Sequence, residues 1–263
     1  MKICFPTAAC GALDFSASAV LASRLGFDGV ELHAFSDPSV ASATNALLTS
    51  TDKINRIFSG ENITISSLNV GSAGSELVNR ISLAAEFNCP AVRFECDELL
   101  SRSQKTSARA VDFARHCADL AAAHQIALLL ENQPIRGSAI TLWHLLDRIN
   151  HPAVACCWNT FSALVAGDSP AVAVPTLNSR IQCVLLQDGK KAQPFGLPLN
   201  LDLGTGDVPA RKTLDRLRGI GFQNSLIVSP PNAASIEVLE QSLEKSLGTL
   251  RQWNILPAPV ASA

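Results

Sequence analysis

Nowhere in the chain does an apolar run approach the roughly 20 residues that a membrane helix requires, so no spanning segment is expected. Charge of one sign is also missing. Lys and Arg number 21 against 23 Asp and Glu, a formal charge of −2. That balance leaves no basic stripe of the kind nucleic-acid binders carry. Charged residues are scarce at 17% while hydrophobic ones reach 47%, the reverse of a disordered composition. No Cys-x-x-Cys pair occurs among Cys4, Cys10, Cys89, Cys96, Cys117, Cys156, Cys157 and Cys183. Most of these lie in or beside apolar runs, where reduced cysteine packs as a small hydrophobe. Cys10 and Cys96, near strand ends, are the only candidates for a nucleophile. No Gly-x-Gly-x-x-Gly follows the first strand-like run, which removes support for a dinucleotide-binding sheet. The opening Met1–Pro6 enters that run at once without a secretory pattern, so a cytoplasmic protein is expected.

What the chain does contain is one unit repeated. An amphipathic helix leads through a short turn with Gly, Asn or Pro into a β-rich run. The runs are Lys2–Phe5, Gly29–His33, Ile63–Asn69, Ala91–Glu95, Ile126–Glu131, Ala153–Trp158, Ile181–Gln187 and Ser225–Ser229. Eight of them at a spacing of about 30 residues match the length of a β-strand, crossover helix and two loops. Several are apolar throughout, as in a parallel sheet covered on both faces. Asp14 is placed to cap a helix that Gly26 closes, and Lys105–His124 and Ala234–Trp253 carry apolar stripes at helical spacing. The fold class that follows is α/β, an eight-stranded parallel (β/α)8 TIM barrel in one domain over residues 1–255. The tail 256–263, with two prolines, is expected to fray. Between Thr160 and Ser179, two prolines and Gly167 leave room for only a short, irregular helix.

Five segments resemble, in order and spacing, the xylose-isomerase-like barrel superfamily. Leu25–Leu32 (LGFDGVEL) is similar to its first helix end and second strand. Leu129–Asn132 (LLEN) resembles the fifth strand, Val184–Asp188 (VLLQD) the seventh, commonly Val-His-Val-Lys-Asp, and Ser225–Ser229 (SLIVS) the last. Leu203–Asp207 (LGTGD) resembles a loop usually read Leu-Gly-Glu-Gly-Asp. The resemblance implies a sugar or sugar-phosphate isomerase or epimerase that moves a proton on a small polyhydroxylated carbonyl compound. It also implies a divalent metal held by glutamate, aspartate, histidine and a second glutamate. Here those positions are Glu131, Asn159, Leu185 and Ser229, a set that lacks the charge and hard oxygen donors magnesium or manganese prefers. No metal or other cofactor is therefore expected. The endonuclease IV branch, which needs many zinc-binding histidines, is disfavoured with five histidines in all. Of these His116, His124, His144 and His151 fall on helices or ahead of strands.

In such a barrel chemistry collects at the C-terminal ends of the strands. Glu131 is the expected base and His33 the second acid–base group. Arg93, Asn69, Asn132, Trp158, Asn159, Gln187, Asp188 and Lys190 are expected to bind the substrate. Arg93 is expected to pair with Glu95, Glu131 or a ligand anion, since an unpaired buried guanidinium is costly. Trp158 is read as a sugar-stacking or core residue, and Lys190 as part of a solvated loop able to hold phosphate. The partner expected is a small sugar or sugar phosphate, with self-association into a homo-oligomer open. A non-catalytic barrel kept as a binding or partner subunit is the alternative.

Overall fold

The computed structural model describes residues 1–11, 13–35, 43–72, 74–95, 104–134, 137–191, 199–233 and 235–257. Within these, strands and helices alternate. The first half contains β1 (Lys2–Pro6), α1 (Phe15–Leu25), β2 (Gly29–His33), α2 (Thr51–Gly60), β3 (Thr64–Asn69), α3 (Leu77–Glu86), β4 (Ala91–Glu95) and α4 (Gln104–Ala123). The second half begins with β5 (Ala127–Glu131), α5 (Ala139–Ile149), β6 (Val154–Asn159), α6 (Thr160–Ala166) and α7 (Pro170–Leu177). It ends with β7 (Ile181–Lys190), β8 (Leu199–Leu201), α8 (Ala210–Gly219), β9 (Ser225–Ser229) and α9 (Ile236–Gln252).

Each of the eight runs read from the sequence becomes a barrel strand. β1 to β7 pair with their neighbours in parallel, β7 pairs in parallel with β9, and β9 with β1. The ring therefore closes with eight parallel strands, a (β/α)8 barrel. Two features were not foreseen. β7 runs three residues further than its apolar core, and its end pairs antiparallel with β8 to form a hairpin on the barrel rim. The sixth unit carries two short helices, α6 and α7, because Gly167 adopts a left-handed φ of 85° and ends the first. Pro175 stands inside the second. The eight cysteine sites divide in the same way: seven are buried and unbridged, while Cys96 and the tail beyond residue 257 lie outside the described residues. Burial pushes the Cys10 thiol up to about 11, so it is protonated and a poor nucleophile near neutral pH.

Strand alternation sorts side chains into two sets. Outward residues such as Val30, Leu68, Val92, Leu128, Trp158 and Val184 join the helices in one continuous core. Inward residues such as Cys4, Leu129, Cys157, Leu185 and Ile227 fill the lumen. Each fully buried leucine or isoleucine contributes about 1.5–3 kcal/mol. The helices start and stop where short polar residues permit: the Asp14 carboxylate accepts from Ala17 N–H, and Gly26 turns left-handed at φ 80° to close α1. Every barrel strand thus ends at the same rim, and the inward residues of those ends meet there.

Candidate active site at the barrel mouth

The chemistry is concentrated around Arg93, the central inward residue of β4. Its Nε donates to Glu31 Oε2 at 2.8 Å and its Nη2 to Glu31 Oε1 at 2.5 Å, while Nη1 donates to Glu131 Oε2. One guanidinium thus joins β2 to β5 across two intervening strands. Glu31 is fully buried, and Ser67 Oγ from β3 donates to its Oε2 at 2.9 Å. Burial works against the charge on Arg93. The Coulombic pull of Glu131 and then of Glu31 overrides it and holds the group further above its ordinary range. Arg93 pairing with Glu131 follows the sequence expectation. Glu31 as the bidentate partner does not, although its position two residues before His33 puts it on the same inward face.

Glu131 is tied on its other side to β6. Asn159 Nδ2 donates to Glu131 Oε1 at 2.9 Å and to Gln187 Oε1 at 3.0 Å, and Gln187 Nε2 reaches Asn200 Oδ1 on β8. Asn159 Oδ1 points the other way, accepting the N–H groups of Phe161 and Ser162 as the cap of α6. Asn132 grips the backbone of Asn159 from both sides, accepting from its N at 2.6 Å and donating to its O at 3.0 Å. The β5 and β6 ends are thereby locked together through both the oxygen and the nitrogen of the Asn132 amide.

His33 ends β2, and β5 lies three strands away around the eight-stranded ring. Its Nδ1 is 3.1 Å from Thr7 Oγ1, and Thr7 is itself held by Thr44 Oγ1 donating to its backbone oxygen. The imidazole is 1% exposed and its Nε2 is buried without a partner among the described residues. Burial lowers the His33 pKa from 6.5 to about 4, so the ring is neutral at physiological pH. Because the unfolded chain takes up this proton near pH 6.5 and the folded chain does not, stability falls as pH drops from about 6.5 to about 4. The loss attributable to His33 is on the order of 3 kcal/mol. Urea midpoints taken from pH 7 to 4 should fall more steeply for wild type than for His33→Gln. Parallel curves would remove His33 as the cause.

Two expected substrate contacts, Trp158 and Asp188, have other work. Trp158 lies on the outward face of β6 and packs against α6 to α8, lining a small crevice with Ala163, Leu164 and Pro209. Strand parity turns it away from the mouth. Asp188 is buried, and its two oxygens accept from the N–H groups of Gly189, Gly204, Gly206 and Val208 at 2.7–3.2 Å. It organises the LGTGD loop, and Gly206 is required because a Cβ there would stand 2.3 Å from Asp188 Oδ1. Asp188→Ala is expected to cost about 3 kcal/mol by stranding those amides, read as a shift of the denaturant midpoint. Lys190 sits within the exposed end of β7, registered with Leu199 of β8, where a loop was expected. Asn69 ends β3 beside Arg93, its Oδ1 accepting from Gly71 N–H.

The donor set does not fit the divalent metal that the resemblance implies. Glu131 Oε2 already receives Arg93, the Asn159 oxygen is consumed as a helix cap, and Leu185 is an apolar lumen residue. Ser229 adds only a hydroxyl. Among the described residues no three His, Cys, Asp or Glu side chains gather as a metal-binding group.

A closed (β/α)8 barrel with a polar, hydrogen-bonded mouth at the C-terminal strand ends defines the class of this protein. The chain belongs to the xylose isomerase-like TIM barrel family, whose model matches residues 19–253. Among solved structures it is similar to a D-psicose 3-epimerase with D-tagatose from Clostridium cellulolyticum H10, with TM-score 0.77 and 16% identity. That likeness covers 96% of this chain and 99% of the other. It is similar to the probable 3-DHS dehydratase AsbF from Bacillus anthracis, TM-score 0.75 at 16% identity over 95% and 99% of the two chains. An IOLI protein with a bound zinc atom aligns at TM-score 0.73 and 16% identity over 97% of each. No curated protein matches. Identity this low establishes the shared fold alone.

Proposed function

We propose that the protein is an isomerase- or epimerase-like enzyme that moves a proton on the carbon beside the carbonyl of a small sugar or sugar phosphate, without a divalent metal. The observation that supports this reading is that two inward strand ends carry a fixed carboxylate, Glu131, and a neutral imidazole, His33, whose Nε2 is buried without a partner among the described residues. The similarity of the fold to epimerases supports the substrate class as an analogy.

In this reading Glu131 removes the carbon-bound proton, and the electrons move toward the carbonyl oxygen. Arg93 and Asn159 hold the carboxylate in place. With Nδ1 accepting from the Thr7 hydroxyl, His33 carries its proton on Nε2 and donates to the oxygen where negative charge develops. Returning the proton from Glu131 to the neighbouring carbon, while the hydroxyl proton passes back through His33, gives isomerisation. Epimerisation requires delivery to the opposite face of the same carbon by a second donor, His33 or water. Lys190, exposed at the end of β7 on the rim hairpin, supports a phosphate contact in this reading. The test is exchange of the carbon-bound proton with deuterated water across ketoses, aldoses and their phosphates, which needs no knowledge of the product. The loss of three expected metal ligands favours a second reading, a non-catalytic sugar-binding barrel. That reading predicts saturable binding with no exchange for any compound.

A further inference from the structure

We propose a second small-molecule site at the N-terminal end of the barrel, opposite the mouth, that takes a small carboxylate with an apolar body. Glu31, His33, Arg93 and Glu131 do not line it, so it stands whether or not the proposed proton transfer occurs.

The lumen of a (β/α)8 barrel is ordinarily filled by layers of bulky branched side chains. The layer at the N-terminal strand ends is not built that way here. Cys4, Arg93, Leu129, Cys157 and Ile227 point inward, and parity puts Lys2, Ala91, Ala127, Ala155 and Ser225 one layer below them. Three alanines and a serine leave that layer hollow. A cavity of about 280 Å³ opens there, walled by Ala91, Ala127, Leu129 and Cys183 and edged by Ser225 and Lys2. Leu129 closes it toward the mouth, since Glu131 is the next inward residue of β5. An apolar cavity of only about 150 Å³ is enough to hold benzene, so the space admits a ring or a short aliphatic chain. Such a body supplies the contacts that the missing side chains do not.

The charge at the entrance selects the head group. A wider groove of about 520 Å³ adjoins the cavity and shares Lys2, Ser66, Pro90 and Ser225 with it. Among the described residues Lys2 is the one charged side chain lining either space. It is exposed and takes part in none of the ion pairs there. Asp28, the acid that precedes β2, has its Oδ2 engaged by Ile3 N–H at 2.7 Å. The polar edge is otherwise neutral, with Asn224 Nδ2 donating to Gln182 Oε1 at 2.9 Å. A ligand with its body against the alanines and a carboxylate at the entrance therefore meets an unpaired ammonium.

The experiment titrates benzoate into the isotope-labelled chain and follows backbone amide shifts by nuclear magnetic resonance. Benzoate should saturate with a dissociation constant on the order of 1 mM. The amides of Ala91, Ala127 and Ser225 should shift while those of His33 and Glu131 stay. Benzyl alcohol has the body without the charge and acetate the charge without the body. Each should bind at least about fivefold more weakly. Lys2→Gln should weaken benzoate about fivefold and leave benzyl alcohol unchanged. Ala127→Leu fills the cavity and should abolish binding of both, with Ala91→Leu as the second filling variant. Shifts confined to the mouth, no saturation by benzoate, or equal affinity for benzyl alcohol overturns the proposal. So does benzoate binding that survives in a folded filling variant. If neither filling variant folds, the layer is packed and not hollow, which overturns it as well.

Discussion

Glu131→Gln lowers proton exchange by about 100-fold or more, the scale of losing a positioned general base. No second glutamate stands at the end of β9 to share the task, because Ser229 occupies that place. The substitution is not free of structural cost. Arg93 Nη1 and Asn159 Nδ2 both donate to the carboxylate, so a glutamine must turn its own N–H group toward one of them. That mismatch costs about 1–3 kcal/mol. Exchange is therefore compared per folded molecule, with circular dichroism confirming the native fraction. Exchange that survives at near wild-type rate would eliminate Glu131 as the base and leave His33 as the group to test. If wild type itself exchanges no proton yet binds sugars saturably, the non-catalytic reading replaces the enzymatic one.

Arg93→Met has the largest expected effect on stability. The guanidinium is 5% exposed and bonded to two carboxylates that are 0% and 7% exposed. Removing one partner of such a buried cluster costs about 3–5 kcal/mol, because the charges left behind are neither solvated nor paired. For a domain above about 150 residues that corresponds to a melting temperature lower by roughly 10 °C. The same substitution in a Glu31→Gln, Glu131→Gln background should cost much less, since no charge is then stranded. Additive losses across the three positions would show that packing, not charge, gives Arg93 its weight. Calorimetry near neutral pH separates the two.

The barrel is legible in the sequence because its causes are local. An apolar run with turn residues on each side reads as a buried strand wherever it occurs. Eight such runs at one spacing leave few topologies that bury them all. The runs from Gly29, Ala91 and Ser225 match their strands at both ends. The caps Asp14 and Gly26 were readable for the same reason, since each acts within four residues. Misreadings began where a side chain's role depends on its face. Trp158 and Asn159 are adjacent in sequence, yet parity sends one outward to the helices and the other into the mouth. The eighth residue of β7, Asp188, looks like a site acidic residue until the loop after β8 folds back and fills it with four amides. Glu31 went unassigned because its partner lies 62 residues away on a strand it does not touch. Residue types and strand order are encoded along the chain. Which charges meet is settled by closure of the ring, where the desolvation of Glu31, Arg93 and Glu131 leaves them no partner better than one another.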